Sequence, residues 1–199
     1  MRVFIAIDID DKTRAAIADL QKQLNAKVDI KKGDVKWVEP NNIHLTLKFL
    51  GEIDDAKLPE IREITEQVAA AHNKFTLALE NVGSFPQLGS LTGGGRSAKV
   101  VCVGAGKGTD ELLALQKDLE DRLEQAGYPK EEREFSSHLT LCRVRNPKAG
   151  FKLADACKLF SDYKLGSISA DALYVYQSQL TPQGPIYTLL ASFKLANLT

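Results

Sequence analysis

The sequence predicts an α+β fold built as two similar halves, and three observations carry that prediction. Strand-like and helix-like segments follow one another in the same order twice along 199 residues. The tetrapeptide HLTL occurs twice, at residues 44–47 and 138–141, an offset of 94. Hydrophobic residues make up 44% of the chain, and 26 basic side chains balance 26 acidic ones, which leaves apolar material for a sizeable core.

The elements follow in order. Residues 3–9 read as a strand and 13–24 as an amphipathic helix, with Ala16, Ile17, Leu20 and Leu24 at helical spacing. In VKWVEPNNIHLTLKFLG, Pro40, Asn41 and Asn42 separate two β-rich pieces and Gly51 ends the second. A second helix, about 56–72, carries Leu58, Ile61, Ile64 and Val68 on one face, and 75–82 alternates as a half-buried strand. Residues 83–97, with Pro86, Gly89 and the run Gly93, Gly94, Gly95 before Arg96, read as a mobile loop whose Arg96 is a candidate for reaching over a cleft. The order then repeats with strand 98–103, helix 109–126, a turn at 127–129 and strand 137–144. A helix at about 151–160 and strands 172–180 and 186–195 close the chain. Shifted by 94, the first strand falls on Ser97.

Composition narrows the function. Balanced charge of mixed sign argues against disorder and against a broadly basic scaffold, so any nucleic acid must be met through a local patch. Cys102, Cys142 and Cys157 are odd in number and form no C-x-x-C pair, which argues against a disulfide framework or a cysteine zinc site and for a reducing cytoplasm. The apolar run at 3–7 is shorter than a signal-peptide core, and no stretch approaches the roughly 20 apolar residues of a membrane span.

The two HLTL copies carry the chemistry. With three histidines and ten threonines in the chain, a given histidine has threonine two positions on by chance about 5% of the time, so two hits in three exceed coincidence. Either copy alone is explained as strand chemistry; the doublet is not. Period-two alternation puts each His and Thr on one face and both leucines into the core. Two imidazoles converging on a cleft form an acid and base pair near neutral pH, and two hydroxyls between them can bond anionic oxygens, which suits in-line attack on a phosphodiester without a metal. A zinc site would lack ligands, because no Cys, Asp or Glu accompanies the histidines. His72 closes a helix and needs no catalytic part. The glycine run at 104–108 departs from nucleotide-loop spacing, since Lys107 precedes Gly108 where a hydroxyl belongs.

The paired HLTL segments resemble the HxTx motifs of the two-histidine phosphoesterases. Nearly the whole chain is similar to the LigT-like RNA 2′,3′-cyclic phosphodiesterases, also called 2′-5′ RNA ligases, through MRVFIAIDI, KWVEPNNIHLTLKFLGE, HLTLCRVR and YQSQLTPQGPIYTLL. The resemblance implies a single bilobal domain over residues 1–199, with two pseudo-symmetric lobes of antiparallel sheet and flanking helices around a central cleft. It implies His44 as proton donor and His138 as proton acceptor, with Thr46 and Thr140 on the phosphate and neither metal nor other cofactor. Arg143 matches a basic position after the second motif and would add a fixed charge beside the phosphate. Strict alternation puts it on the face opposite His138, so that role requires a bulge or a twist at the strand end. Lys48 shares a face with His44 by the same alternation and could serve likewise, although an exposed strand lysine is the plainer reading. Cys102 stands where the resemblance implies Trp; if that ring stacks a base, Phe4 or another aromatic replaces it here.

The implied activity opens a terminal 2′,3′-cyclic phosphate to a 2′-phosphate. Ligation at the same site, with a 5′-hydroxyl as nucleophile, and RNA-end binding without turnover are the other readings. The expected partner is RNA bearing the cyclic end or a small cyclic nucleotide, met by a monomer with no membrane attachment.

Overall fold

A computed structural model describes residues 1–86, 97–132, 134–182 and 184–197. Strand β1 (Arg2–Ile7) leads to helix α1 (Asp11–Ala26), which starts where the Asp10 carboxylate accepts the Thr13 N–H at 2.6 Å. Short strand β2 (Val35–Trp37), a turn of 3₁₀ helix (Pro40–Asn42) and β3 (Leu45–Glu52) follow. Next come α2 (Leu58–Ala71), β4 (Phe75–Phe85), β5 (Val100–Ala105), α3 (Thr109–Gln125) and β6 (His138–Val144). Helix α4 (Pro147–Lys158) begins earlier than its apolar pattern implies, because Asn146 accepts the Lys148 N–H at 2.9 Å and Pro147 suits the first turn. The chain ends with β7 (Lys164–Ala170), β8 (Ala172–Leu180) and β9 (Pro185–Lys194). The sequence pattern misses β7: in KLGSISA only Ile168 and Ala170 are buried, and the strand forms because β4 offers it an edge. Most of the loop expected at 83–97, with Gly93, Gly94, Gly95 and Arg96, lies outside the described residues.

Two sheets form, ordered β3-β1-β8-β9 and β2-β6-β5-β4-β7, with antiparallel pairings throughout the named strands. Apart from β2 they correspond strand for strand, β3 to β6, β1 to β5, β8 to β4 and β9 to β7. The lobes are therefore not the sequence halves, because β4 crosses into the second sheet and β8 into the first. Helix α2 packs on β8 and β9, α4 on β4, β5 and β6, α1 on β7, and α3 against α2, β3 and β4. One apolar cluster runs through both units, from Ile5, Ile7 and Leu20 to Leu115, Leu139 and Ile168.

The offset of 94 holds for the motifs but not for the strands beside them. Ala6 pairs with Thr46 and Ile5 with Lys48, whereas Cys102 pairs with Thr140 and Val101 with Cys142. The first strands thus correspond at an offset of 96, not at Ser97, because the second half holds two fewer residues between its first strand and its motif. Among the described residues no helix is long and apolar enough to cross a membrane. The three cysteines are free and buried, and burial pushes their thiols up to about 12, 12 and 11 for Cys102, Cys142 and Cys157.

Candidate functional site

Both motifs take the alternation expected of them. Leu45, Leu47, Leu139 and Leu141 are buried in the core, while His44, Thr46, His138 and Thr140 are half-buried on the other face. Each imidazole has a backbone neighbour two residues upstream. Nδ1 of His138 lies 2.7 Å from the carbonyl of Ser136, and the Asn42 backbone favours the charged form of His44. A carbonyl only accepts, so Nδ1 of His138 carries a proton and the Nε2 lone pair of the neutral ring is left free.

Directly after each threonine the strand takes in one extra residue. Leu47 has no partner between the pairs Ala6–Thr46 and Ile5–Lys48, and Leu141 has none between Cys102–Thr140 and Val101–Cys142. Two successive side chains therefore turn inward, Leu47 with Lys48 and Leu141 with Cys142. The bulge settles two expectations in opposite ways. Arg143 is exposed and returns to the face of His138 and Thr140. Lys48 is neither exposed nor on the His44 face. It is 3% exposed, its Nζ 2.5 Å from Glu120 Oε1 and 2.6 Å from the Pro129 carbonyl, so strict alternation fails for it.

Phe4 does not offer a base-stacking face either. It is 1% exposed and stacks on His44 at 4.6 Å and on Tyr176 at 5.4 Å, with Phe49 and Tyr187 closing its edges. The histidine is thus seated in an aromatic nest from β1, β3, β8 and β9. Burial pushes its pKa down to about 4, and the Arg14 charge adds to that. Asp8 and the Asn42 backbone pull the other way. Asp8 also accepts the Tyr176 hydroxyl at 2.7 Å, and burial with that bond raises the phenol. Sequence reading missed Asp8, Tyr176 and Tyr187, since only tertiary pairing of β1 with β8, and of β8 with β9, brings them to His44; the tyrosine alternation in ALYVYQ was the available signal.

Tyr187 is influenced from both sheets. Its ring stands edge-on to His44 at 5.1 Å, and its hydroxyl, raised by burial, is lowered in turn by the charges of Arg143 and Arg2. A guanidinium from one sheet therefore bears on the aromatic wall of the histidine in the other. On its own side His138 meets Phe85 at 5.4 Å. His72 lies apart, its Nε2 3.1 Å from Asp118 Oδ2 between α2 and α3. The 104–108 glycine run packs on β4: Gly106 N–H donates to the Ala78 carbonyl at 2.9 Å, and a Cβ on Gly108, whose φ is +96°, would collide with the Thr76 carbonyl oxygen.

A family model of LigT-like phosphoesterases matches residues 7–91 and, again, 103–187, reproducing the offset of 96. An RNA 2′,3′-cyclic phosphodiesterase of Archaeoglobus fulgidus is 35% identical over 196 residues, covering 98% of this chain and 100% of that protein. One from Methanocaldococcus jannaschii is 33% identical over 190 residues, 96% of this chain and 98% of that one. Among solved structures, a protein of Thermus thermophilus superposes with a TM-score of 0.76 at 25% identity over 99% of both chains. Escherichia coli LigT, crystallised with 3′-AMP, gives 0.74 at 23% identity over 98% of both chains and shares the fold.

Proposed function

The chain belongs to the LigT-like phosphoesterase family and is an RNA 2′,3′-cyclic phosphodiesterase, and from that premise we propose that His44 and His138 open the cyclic ester as a metal-free acid and base pair. In this reading residues 1–199 act as one two-lobed domain. Nε2 of His138 takes a proton from water as the water oxygen attacks phosphorus. The bond from phosphorus to the 3′ oxygen breaks, and His44 hands its proton to that oxygen, leaving a 2′-phosphate and a 3′-hydroxyl. Thr46, Thr140 and Arg143 bond the non-bridging oxygens, where charge builds.

The observation that carries this reading is the repeated geometry: two half-buried imidazoles at the heads of matching strands, each followed by a threonine on its own face and then by a one-residue bulge. The low pKa of His44 fits a donor only when substrate is bound, because an anionic phosphate beside the ring favours its protonated form.

The test is turnover of an RNA oligonucleotide with a 2′,3′-cyclic phosphate end, with EDTA and with added divalent ions. Hydrolysis to the 2′-phosphate that survives EDTA supports the proposal. Loss restored by a divalent ion overturns the metal-free mechanism, joined products with a 5′-hydroxyl acceptor support ligation, and binding without turnover leaves an RNA-end binding module.

A further inference from the structure

At each bulge the carbonyl of the extra residue meets a buried glutamine from the other half of the chain. On β6 the Leu141 carbonyl accepts the side-chain amide of Gln21 at 2.9 Å, and the same amide donates to the Val38 carbonyl at 2.8 Å. The Val38 N–H also donates to Leu141 O, at 2.9 Å, so Gln21 staples the bulge to the chain leaving β2. On β3 the amide of Gln116 approaches the Leu47 carbonyl at 3.5 Å and Glu120 Oε2 at 3.4 Å. The two glutamines hold matching places, each directly after a fully buried leucine, Leu20 on α1 and Leu115 on α3.

Gln21 sits among Leu20, Leu24 and the core side of β6, where an apolar side chain would be buried without polar cost. Its amide has two N–H donors, the number needed to serve two carbonyls at once. What those bonds secure is local: one extra residue at Leu141. Without the bulge, strict period-two alternation would turn Cys142 to the cleft and Arg143 to the opposite face.

We propose that Gln21 is a positioning residue for the phosphodiesterase reaction, holding the bulge at Leu141 that presents Arg143 on the face of His138 and Thr140. The proposal rests on the acid and base reading above and adds to it a support that reaches from the first half of the chain to the motif of the second. Gln116 does the corresponding job at Leu47 through longer contacts, and the residue presented there is Phe49.

The experiment is a double-mutant cycle on hydrolysis of a 2′,3′-cyclic-phosphate RNA end, using Gln21→Met, Arg143→Ala and the pair, assayed well below each variant's Tm. Gln21→Met should lower kcat/KM by about three- to tenfold, the size of one lost internal hydrogen bond. In the Arg143→Ala background the same change should cost less than about twofold, because the group it positions is gone. Losses that multiply, or an unchanged kcat/KM with a lowered Tm, overturn the proposal. If Gln21→Met does not fold, Gln21→Glu replaces it. An ionised carboxylate repels both carbonyls, so its kcat/KM relative to the parent must fall as pH rises while circular dichroism stays constant; a constant ratio overturns the proposal. An inactive parent protein would overturn the functional reading, whereas an active parent indifferent to Arg143→Ala would overturn this inference and the phosphate role of Arg143 while leaving the histidine acid and base pair standing.

Discussion

Phe49 and Arg143 occupy the same position in the two halves of the molecule. Each lies three residues past its motif threonine, each is turned outward by the extra leucine before it, and each pairs with the corresponding first strand, Phe49 with Phe4 and Arg143 with Val100. A near-symmetric scaffold thus sets an aromatic ring on the face of one motif and a guanidinium on the face of the other. The two motifs match in sequence and differ in surroundings, which is what separate acid and base roles require.

Replacing either histidine should disable the chemistry with little effect on the fold. His44→Gln and His138→Gln should each lower kcat by on the order of 10² to 10⁴, and the double variant should be scarcely worse than the more damaged single one, because the pair acts as a unit. Single-turnover rates check this; a variant at near-parental rate removes that histidine from the mechanism.

The threonines should act on the phosphate. Thr46→Val and Thr140→Val suit a strand at similar volume and should keep the parental Tm, while each loses a bond to a charged oxygen worth about 1.5 to 3 kcal/mol in kcat/KM. Unchanged kinetics with a lowered Tm would make them structural.

The pH dependence should carry the mark of His44. In the folded protein its pKa lies near 4, against 6.5 for the ordinary imidazole. Between those values the unfolded chain binds more protons, so this contribution to stability is complete above about pH 6.5 and is lost as pH falls toward 4. The slope is at most about 1.4 kcal/mol per pH unit, less what solvent screening of the half-buried ring removes. Denaturant titrations from pH 7 to 4 should show this decline in the parent and a flatter curve in His44→Gln. In kinetics the limb of kcat/KM set by His44 should sit near pH 4 and that of kcat higher, since bound phosphate favours protonation; coincident limbs would deny the phosphate that influence.

Lys48→Ala should unfold the protein more readily without touching the reaction. Removing one member of the buried pair with Glu120 costs about 3 to 5 kcal/mol, on the order of 10 °C in Tm for a chain of this size. Below that Tm, kcat/KM should stay within about threefold of the parent. A loss of about 100-fold in a folded variant would return Lys48 to the phosphate.

The strand and helix order, the paired HLTL segments and the faces of their four side chains follow from local pattern, because alternation is a property of a single extended strand. His44, Thr46, His138 and Thr140 could therefore be assigned a face without a fold. One residue beyond each threonine that rule ends. A bulge is defined by a strand's partner and not by its own residues, so the inward turn of Lys48 to Glu120 and the outward turn of Arg143 are decisions of the tertiary structure. The same holds for the nest around His44. Asp8 lies four residues from Phe4 in sequence, but Tyr176 reaches both, and Tyr187 reaches Phe4, only because β8 and β9 lie in the sheet of β1. Sequence by itself determined which groups could do acid and base chemistry. The exchange of strands and helices between the halves decided their surroundings, because burial and charge act through space, and no local pattern records which distant segment will supply them.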